Sequence, residues 1–375
     1  YTRIESKDSE TLDRRKRVSM KYSFLIVIGA MMFSACSKVQ EDASCSTGSG
    51  ITPICGFMAP EDLEVLPGGE FLLAGGLSLD NENGDLRVMK ISNHSIQKIY
   101  DVNDSASAEV NSNGWGDPNC PGPPSGFSAH GMKLTQDEAG NNILLVVNHT
   151  SREAVEYFEI YNIDDIFKAE WIGCVIVGEG LWINDLATLP NGGFVASQMM
   201  PHEIWHTIFD RPHNDKVETG YLVDWNVEDG WKKVEGTEGA LPNGVETSKD
   251  GTIIYNNHYQ SNQVVAVERA TGKRLWTSSV KGAPDIMSIT PRGQILLPSL
   301  LGTLRLIRVC MLANEDHCDL GFAVYSLNPA DGSSTHVFES SGPPFGGATS
   351  AVETGKHIYL GTFSGNRIGR IAALE

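Results

Sequence analysis

Six times along this chain a short apolar strand runs into a turn built on Gly, Pro, Asp or Asn and returns through a second apolar strand. The copies are LEVLPGGEFLLAGG (63–76), MKLTQDEAGNNILLVVN (132–148), LATLPNGGFVASQ (186–198), VETSKDGTIIYNN (245–257), SITPRGQILLPS (288–299) and SAVETGKHIYLGT (350–362). Their turn glycines, Gly69, Gly140, Gly193, Gly251, Gly293 and Gly355, lie 71, 53, 58, 42 and 62 residues apart. Alternating apolar positions and β-branched content make these hairpins rather than helices. Further strand signals fall between the copies, such as VEYFEIYNI (155–163), TGYLVDWNV (219–227), QVVAVER (263–269) and FAVYSLNP (322–329). Each repeat therefore holds about four strands in roughly 50 residues, the size of a propeller blade. The spacing predicts an all-β fold, a six-bladed β-propeller over residues 58–375. A β-sandwich is the alternative, and it gives no reason for one hairpin to recur at this interval.

Composition supplies what such a fold needs and removes one class of partner. Of 375 residues, 41% are hydrophobic, enough for a buried core, and 39 glycines serve the turns. The formal charge of −18 leaves little material for a basic, phosphate-neutralising face, so no nucleic-acid partner is expected.

The N-terminus reads as a targeting segment. Phe24 to Phe33 (FLIVIGAMMF) is an apolar run behind Lys21 and the cluster Arg14, Arg15, Lys16 and Arg17. It is too short to span a bilayer, which takes about 20 residues, and fits the apolar region of a secretory signal. The run ends in Phe33-Ser34-Ala35-Cys36, which resembles a bacterial lipobox. The expectation is an upstream segment and lipoprotein signal peptide over 1–35, starting at Met20 and removed on export. A linker follows over 36–57 from a lipidated Cys36, and the propeller would be held to the cell envelope by that lipid alone. A buried helix with a chance cysteine is the alternative. Setting Cys36 aside leaves Cys45, Cys55, Cys120, Cys174, Cys310 and Cys318, an even set suited to an oxidising compartment. Six cysteines allow fifteen pairings. The local ones are Cys310 with Cys318 and Cys45 with Cys55, which leaves Cys120 with Cys174. No CxxC or Cys/His zinc spacing occurs.

Just ahead of five hairpins stands a polar residue or pair that a strand start does not need: Glu61-Asp62, His130-Gly131, Asn184-Asp185, Asn243-Gly244 and Asp285. They precede their turn glycines by 8, 10, 9, 8 and 8 residues. Equivalent positions in radial blades face one axis, so Glu61, Asn184, Asn243 and Asp285 form a ring with a histidine beside it. Oxygen-only ligands suit a hard cation, Ca²⁺ first and Mg²⁺ or Mn²⁺ second. Any one Asn or Asp alone reads as a turn-former; the repeated offset argues otherwise. His149 ends the strand that returns from His130, so the hairpin brings the two imidazoles together, as a general base and its partner would be. His202, His206 and His213 in PHEIWHTIFDRPH could suggest zinc but lie in a long insertion. An entrance loop, with Trp205 and Phe209 against an apolar substrate, is favoured. GPPFGG (342–347) reads as a loop, and no Gly-x-Ser-x-Gly elbow occurs.

The stretches PEDLEVLPGGEFLLAGG, HGMKL with LLVVNHT, INDLATLP, LPNGVETSKDG and YLGTFSGN resemble the paraoxonase/arylesterase family of six-bladed propellers. PNGV and PDIMSITPRG are similar also to the gluconolactonase and senescence-marker family. The resemblance runs from about residue 58 to the end. It implies a catalytic calcium on Glu61, Asn184, Asn243 and Asp285. A second, structural calcium would lie on Asp62, Asp185 and the Met132 carbonyl, and the histidine dyad would be His130 and His149. Where paraoxonases carry an asparagine ligand, this chain has Ile286. The implied activity is calcium-dependent hydrolysis of lactones or activated aryl esters, with small-molecule substrates. The rivals are a gluconolactonase-type sugar lactonase using an acidic or metal-bound-water base, and a lipid-anchored binding module with only structural calcium.

Overall fold

In the computed structural model, residues 45–78, 83–105, 114–211, 217–312 and 317–374 are described. The leader, Cys36 and His213 lie outside these residues. Six antiparallel sheets follow one another along the chain, and each hairpin read from the sequence supplies the inner pair of one blade. The inner strands are Pro60–Val65, Ala129–Gln136, Ile183–Thr188, Pro242–Thr247, the broken pair Ala283–Pro284 and Ser288–Ile289, and Ala348–Thr354. Sheet faces pack on one another through buried Leu, Ile, Val and Phe, so the core lies between the blades rather than at the axis.

The ring closes with a strand from the other end of the chain. Thr52–Cys55 pairs with Arg367–Ala372 as the outermost strand of the sixth blade, with Thr52 opposite Arg370 and Cys55 opposite Arg367. The propeller therefore takes in residues ahead of the boundary expected at 58. This closure removes a free sheet edge and ties the two ends of the fold together by backbone hydrogen bonds. Cys45–Cys55 fastens the closing strand, and Cys120–Cys174 and Cys310–Cys318 complete the three disulfides favoured on sequence spacing.

Among the described residues two short α-helices depart from the all-β pattern. Helix α1 (Trp205–Ile208) sits in the third-blade insertion, and helix α2 (Leu304–Leu312) in the fifth, stapled by Cys310–Cys318. Among the described residues no helix is long and apolar enough to cross a membrane.

Candidate functional site

Every inner strand is irregular at the same place. Register shifts fall between Pro60 and Asp62, Ala129 and Met132, Ile183 and Leu186, Pro242 and Val245, and Ala348 and Ala351. The fifth inner strand is interrupted outright between Pro284 and Ser288. A bulge re-aims side chains, and these bulges hold Glu61, His130, Asn184, Asn243 and Asp285. The sixth carries Thr349 and Ser350, whose hydroxyls donate to the Glu61 carbonyl at 2.8 and 2.7 Å. Two glycines let the bulges approach one another. A Cβ on Gly131 would lie 2.6 Å from the Asp185 Cα, and one on Gly244 would lie 2.4 Å from the Asp285 carbonyl oxygen.

Glu61, His130, His149, Asn184, Asn243 and Asp285 line one pocket of about 190 Å³ at one end of the channel. Three of its buried acceptors, Glu61 Oε2, Asn184 Oδ1 and Asn243 Oδ1, meet no hydrogen-bond partner. Such groups are costly unless something binds them. Asp285 is also buried; burial first, then the Glu61 and Asp185 charges, push its carboxyl well above the usual range. Two carboxylates and two amide side chains lining one buried pocket offer the kind of oxygen donors that hard divalent cations take.

The histidines form a chain leading from the ring. His130 Nε2 lies 3.2 Å from Glu61 Oε1 and 3.3 Å from Asn184 Nδ2. His130 Nδ1 lies 2.8 Å from His149 Nε2, and His149 Nδ1 lies 2.6 Å from Glu153 Oε2. The Trp182 indole N–H is 3.1 Å from that same Nδ1. The nearer, negative carboxylate assigns the proton to His149 Nδ1. His149 Nε2 then accepts from His130 Nδ1–H; in neutral His130 the Nε2 lone pair faces the ring, and when protonated Nε2–H donates to Glu61 Oε1. Burial alone would lower the His130 pKa, but the Glu61 charge and hydrogen bond, with Asp185 and Glu153, raise it. His149 goes the other way: burial lowers it, the Glu153 hydrogen bond opposes, and the His130 charge lowers it further.

The remaining walls are mostly apolar, with Ser78, Thr150 and Tyr259 as the polar exceptions. Trp205, Ile208 and Phe209 from the α1 insertion and Leu304, Ile307 and Met311 from α2 enclose the pocket beside Trp182 and Tyr259. Trp205 and Phe209 stand where the entrance-loop reading put them, whereas His202 and His206 are exposed. Sequence reasoning missed α2, although Leu304, Ile307 and Met311 follow helical spacing. It also missed Glu153 and Trp182, which no local pattern marks.

Asp62 and Asp185 face the opposite end, in a narrow chamber that Ile286 also lines. Asp62 accepts from the amides of Leu63 and Met132 at 2.7 Å each, and Asp185 Oδ2 from Val245 N–H at 2.8 Å. Each thus ties its blade to the next. Lys133 enters the same chamber, bonded to Glu246 and 3.5 Å from Glu64. Burial would discharge this ammonium, but Glu246 and Glu64 outweigh it and hold it charged, well above the usual lysine range. Burial pushes Asp185 up to about 7 and, with the Asp185 and Glu64 charges, raises Asp62 too.

No protein-family profile matches the chain, and no curated protein matches it in sequence. Solved structures do. A luciferin-regenerating enzyme is similar at a TM-score of 0.50 and 10% identity, over 86% of this chain and 93% of that one. The PQQ-bound aldose sugar dehydrogenase of Streptomyces coelicolor is similar at 0.50 and 12%, over 85% and 97%. A calcium-binding protein, regucalcin from Agrobacterium tumefaciens, follows at 0.45 and 12%, over 84% and 90%. The fold is a six-bladed β-propeller, as the motif resemblance implies. Two such different enzymes at one TM-score show that the fold does not choose the chemistry; the site must.

Proposed function

We propose that the chain is a calcium-dependent hydrolase of lactones or activated aryl esters. The observation that carries this reading is the set of three partnerless buried oxygens, on Glu61, Asn184 and Asn243, that line one pocket with Asp285 and His130. A divalent ion held by those four residues would polarise the substrate carbonyl and offset negative charge on its oxygen in the transition state. The chain's own residues do the rest. His130 Nε2 takes the proton from the attacking water. His149 orients that imidazole through a 2.8 Å hydrogen bond, and Glu153 fixes the His149 tautomer at 2.6 Å. The apolar walls from the two helices hold the acyl or aryl portion and keep bulk water away.

A sugar lactone would find few hydrogen-bond partners on those walls, which favours this substrate class over the gluconolactonase alternative. Three disulfides suit an extracytoplasmic setting, and the lipobox-like Cys36 would fix it there as an envelope lipoprotein. Turnover of aliphatic lactones, aryl esters and sugar lactones, with and without chelator, tests the reading. Chelator-sensitive hydrolysis of the first two is expected. Chelator-insensitive rates, or a sugar-lactone preference, would overturn it.

A further inference from the structure

The second cation implied at Asp62, Asp185 and the Met132 carbonyl does not fit the chamber. A buried ion site is best made by acceptors that no N–H already serves, with no resident positive charge beside them. Here both Asp62 oxygens already accept backbone N–H groups, as does Asp185 Oδ2, and no Asp62 or Asp185 oxygen is among the partnerless buried atoms. The partnerless oxygens of Glu61, Asn184 and Asn243 belong to the ring instead. The chamber also holds an ammonium. Lys133 leaves the second blade and spans the channel to Glu64 of the first and Glu246 of the fourth, in the chamber that Asp62 and Asp185 line. The Lys133 and Glu246 side chains are only 20% and 4% exposed. A partly buried lysine is retained when it is paired, and this one has two carboxylates.

We infer that the Lys133 ammonium is the resident cation of the lower chamber, so that the chain binds one divalent ion, in the ring, and none at Asp62 and Asp185. A divalent ion in this chamber would meet a like charge on Lys133, whereas the ammonium supplies the cross-channel tie that the ion would otherwise make. The count of one rests on the ring reading; the role of Lys133 does not.

The test is calcium per chain, by elemental analysis after dialysis and by titration calorimetry, on the full propeller. Wild type should hold one ion and Asp185→Asn the same one. Lys133→Ser, which vacates the ammonium and leaves four carboxylates, should gain one further ion, and adding Asp185→Asn should remove it. Two ions in wild type, or an ion lost with Asp185→Asn alone, would overturn the inference. So would a folded Lys133→Ser that gains none. If the ring reading were wrong, wild type would hold no ion, yet the gain of one in Lys133→Ser would still stand. Should Lys133→Ser not fold, the wild-type and Asp185→Asn counts decide alone.

Discussion

The two ends of the channel grow from the same bulges yet treat their oxygens in opposite ways. In Glu61-Asp62 and Asn184-Asp185, neighbouring residues point to opposite ends, as alternation along a strand requires. The first of each pair carries a buried oxygen with no partner; the second is bonded to backbone N–H groups of its own and the neighbouring blade. One end is left open to a ligand, and the other is finished as a staple. Acidic residues near a propeller axis are therefore sorted by their unmet hydrogen bonds, not by their charge.

The largest effect should follow from breaking the open end. Asp285→Ala or Asn243→Ala should reduce lactone turnover to background and remove the bound cation, read as kcat and as calcium per chain. Full activity of Asp285→Ala at low calcium would erase the distinction between the ends.

Next comes the histidine chain. His130→Gln should lose roughly 10²–10⁴-fold in kcat, the usual worth of a positioned acid–base group, with the cation count unchanged. His149→Gln should lose less and Glu153→Gln less again, since they act through His130. Near-normal rates for His130→Gln with calcium in place would move the base to an acidic ring residue.

The finished end should answer in stability instead. Asp62→Ala leaves the Leu63 and Met132 amides without their acceptor, at about 1–3 kcal/mol for each buried donor. Glu246→Gln breaks a buried ion pair, for which about 3–5 kcal/mol is typical. Both should lower the melting temperature while kcat of the folded fraction changes by no more than a few-fold. A large loss of kcat at unchanged stability would mean that the chamber belongs to the catalytic machinery.

How far the sequence reached follows from which interactions are periodic. Six hairpins and their leading residues were legible because blades repeat, and a repeated offset puts Glu61, Asn184, Asn243 and Asp285 on one axis. The disulfides were legible because the local cysteine pairs lie 10 and 8 residues apart in sequence. What escaped depends on contacts across the ring. Nothing local distinguishes Lys133 from a solvated lysine until Glu246, 113 residues on, is placed beside it. Thr52–Cys55 read as linker because its partner strand lies at the far end of the chain. Ile286 drew notice as a missing ligand, yet it lines the lower chamber and its amide donates to the Thr349 carbonyl at 2.9 Å.

The smallest expected effect is a shift in one imidazole's titration, and it separates the ends without any mutation. Burial lowers the His130 pKa, and the Glu61 carboxylate outweighs it, so without a cation the proton is held above the ordinary value of 6.5. A divalent ion on Glu61 offsets that carboxylate and adds a like charge, so burial then dominates and the pKa must fall. A fall of about one unit corresponds to about 1.4 kcal/mol. The base works neutral, so saturating calcium should move the rising limb of kcat against pH to lower pH than the metal-free His130 titration. NMR of the imidazole resonances with and without calcium measures this directly. His258, which burial holds near 4 in the fourth blade, serves as the unmoved control. If calcium left the His130 titration where it was, no cation would lie against Glu61, and the open end would have to bind something else.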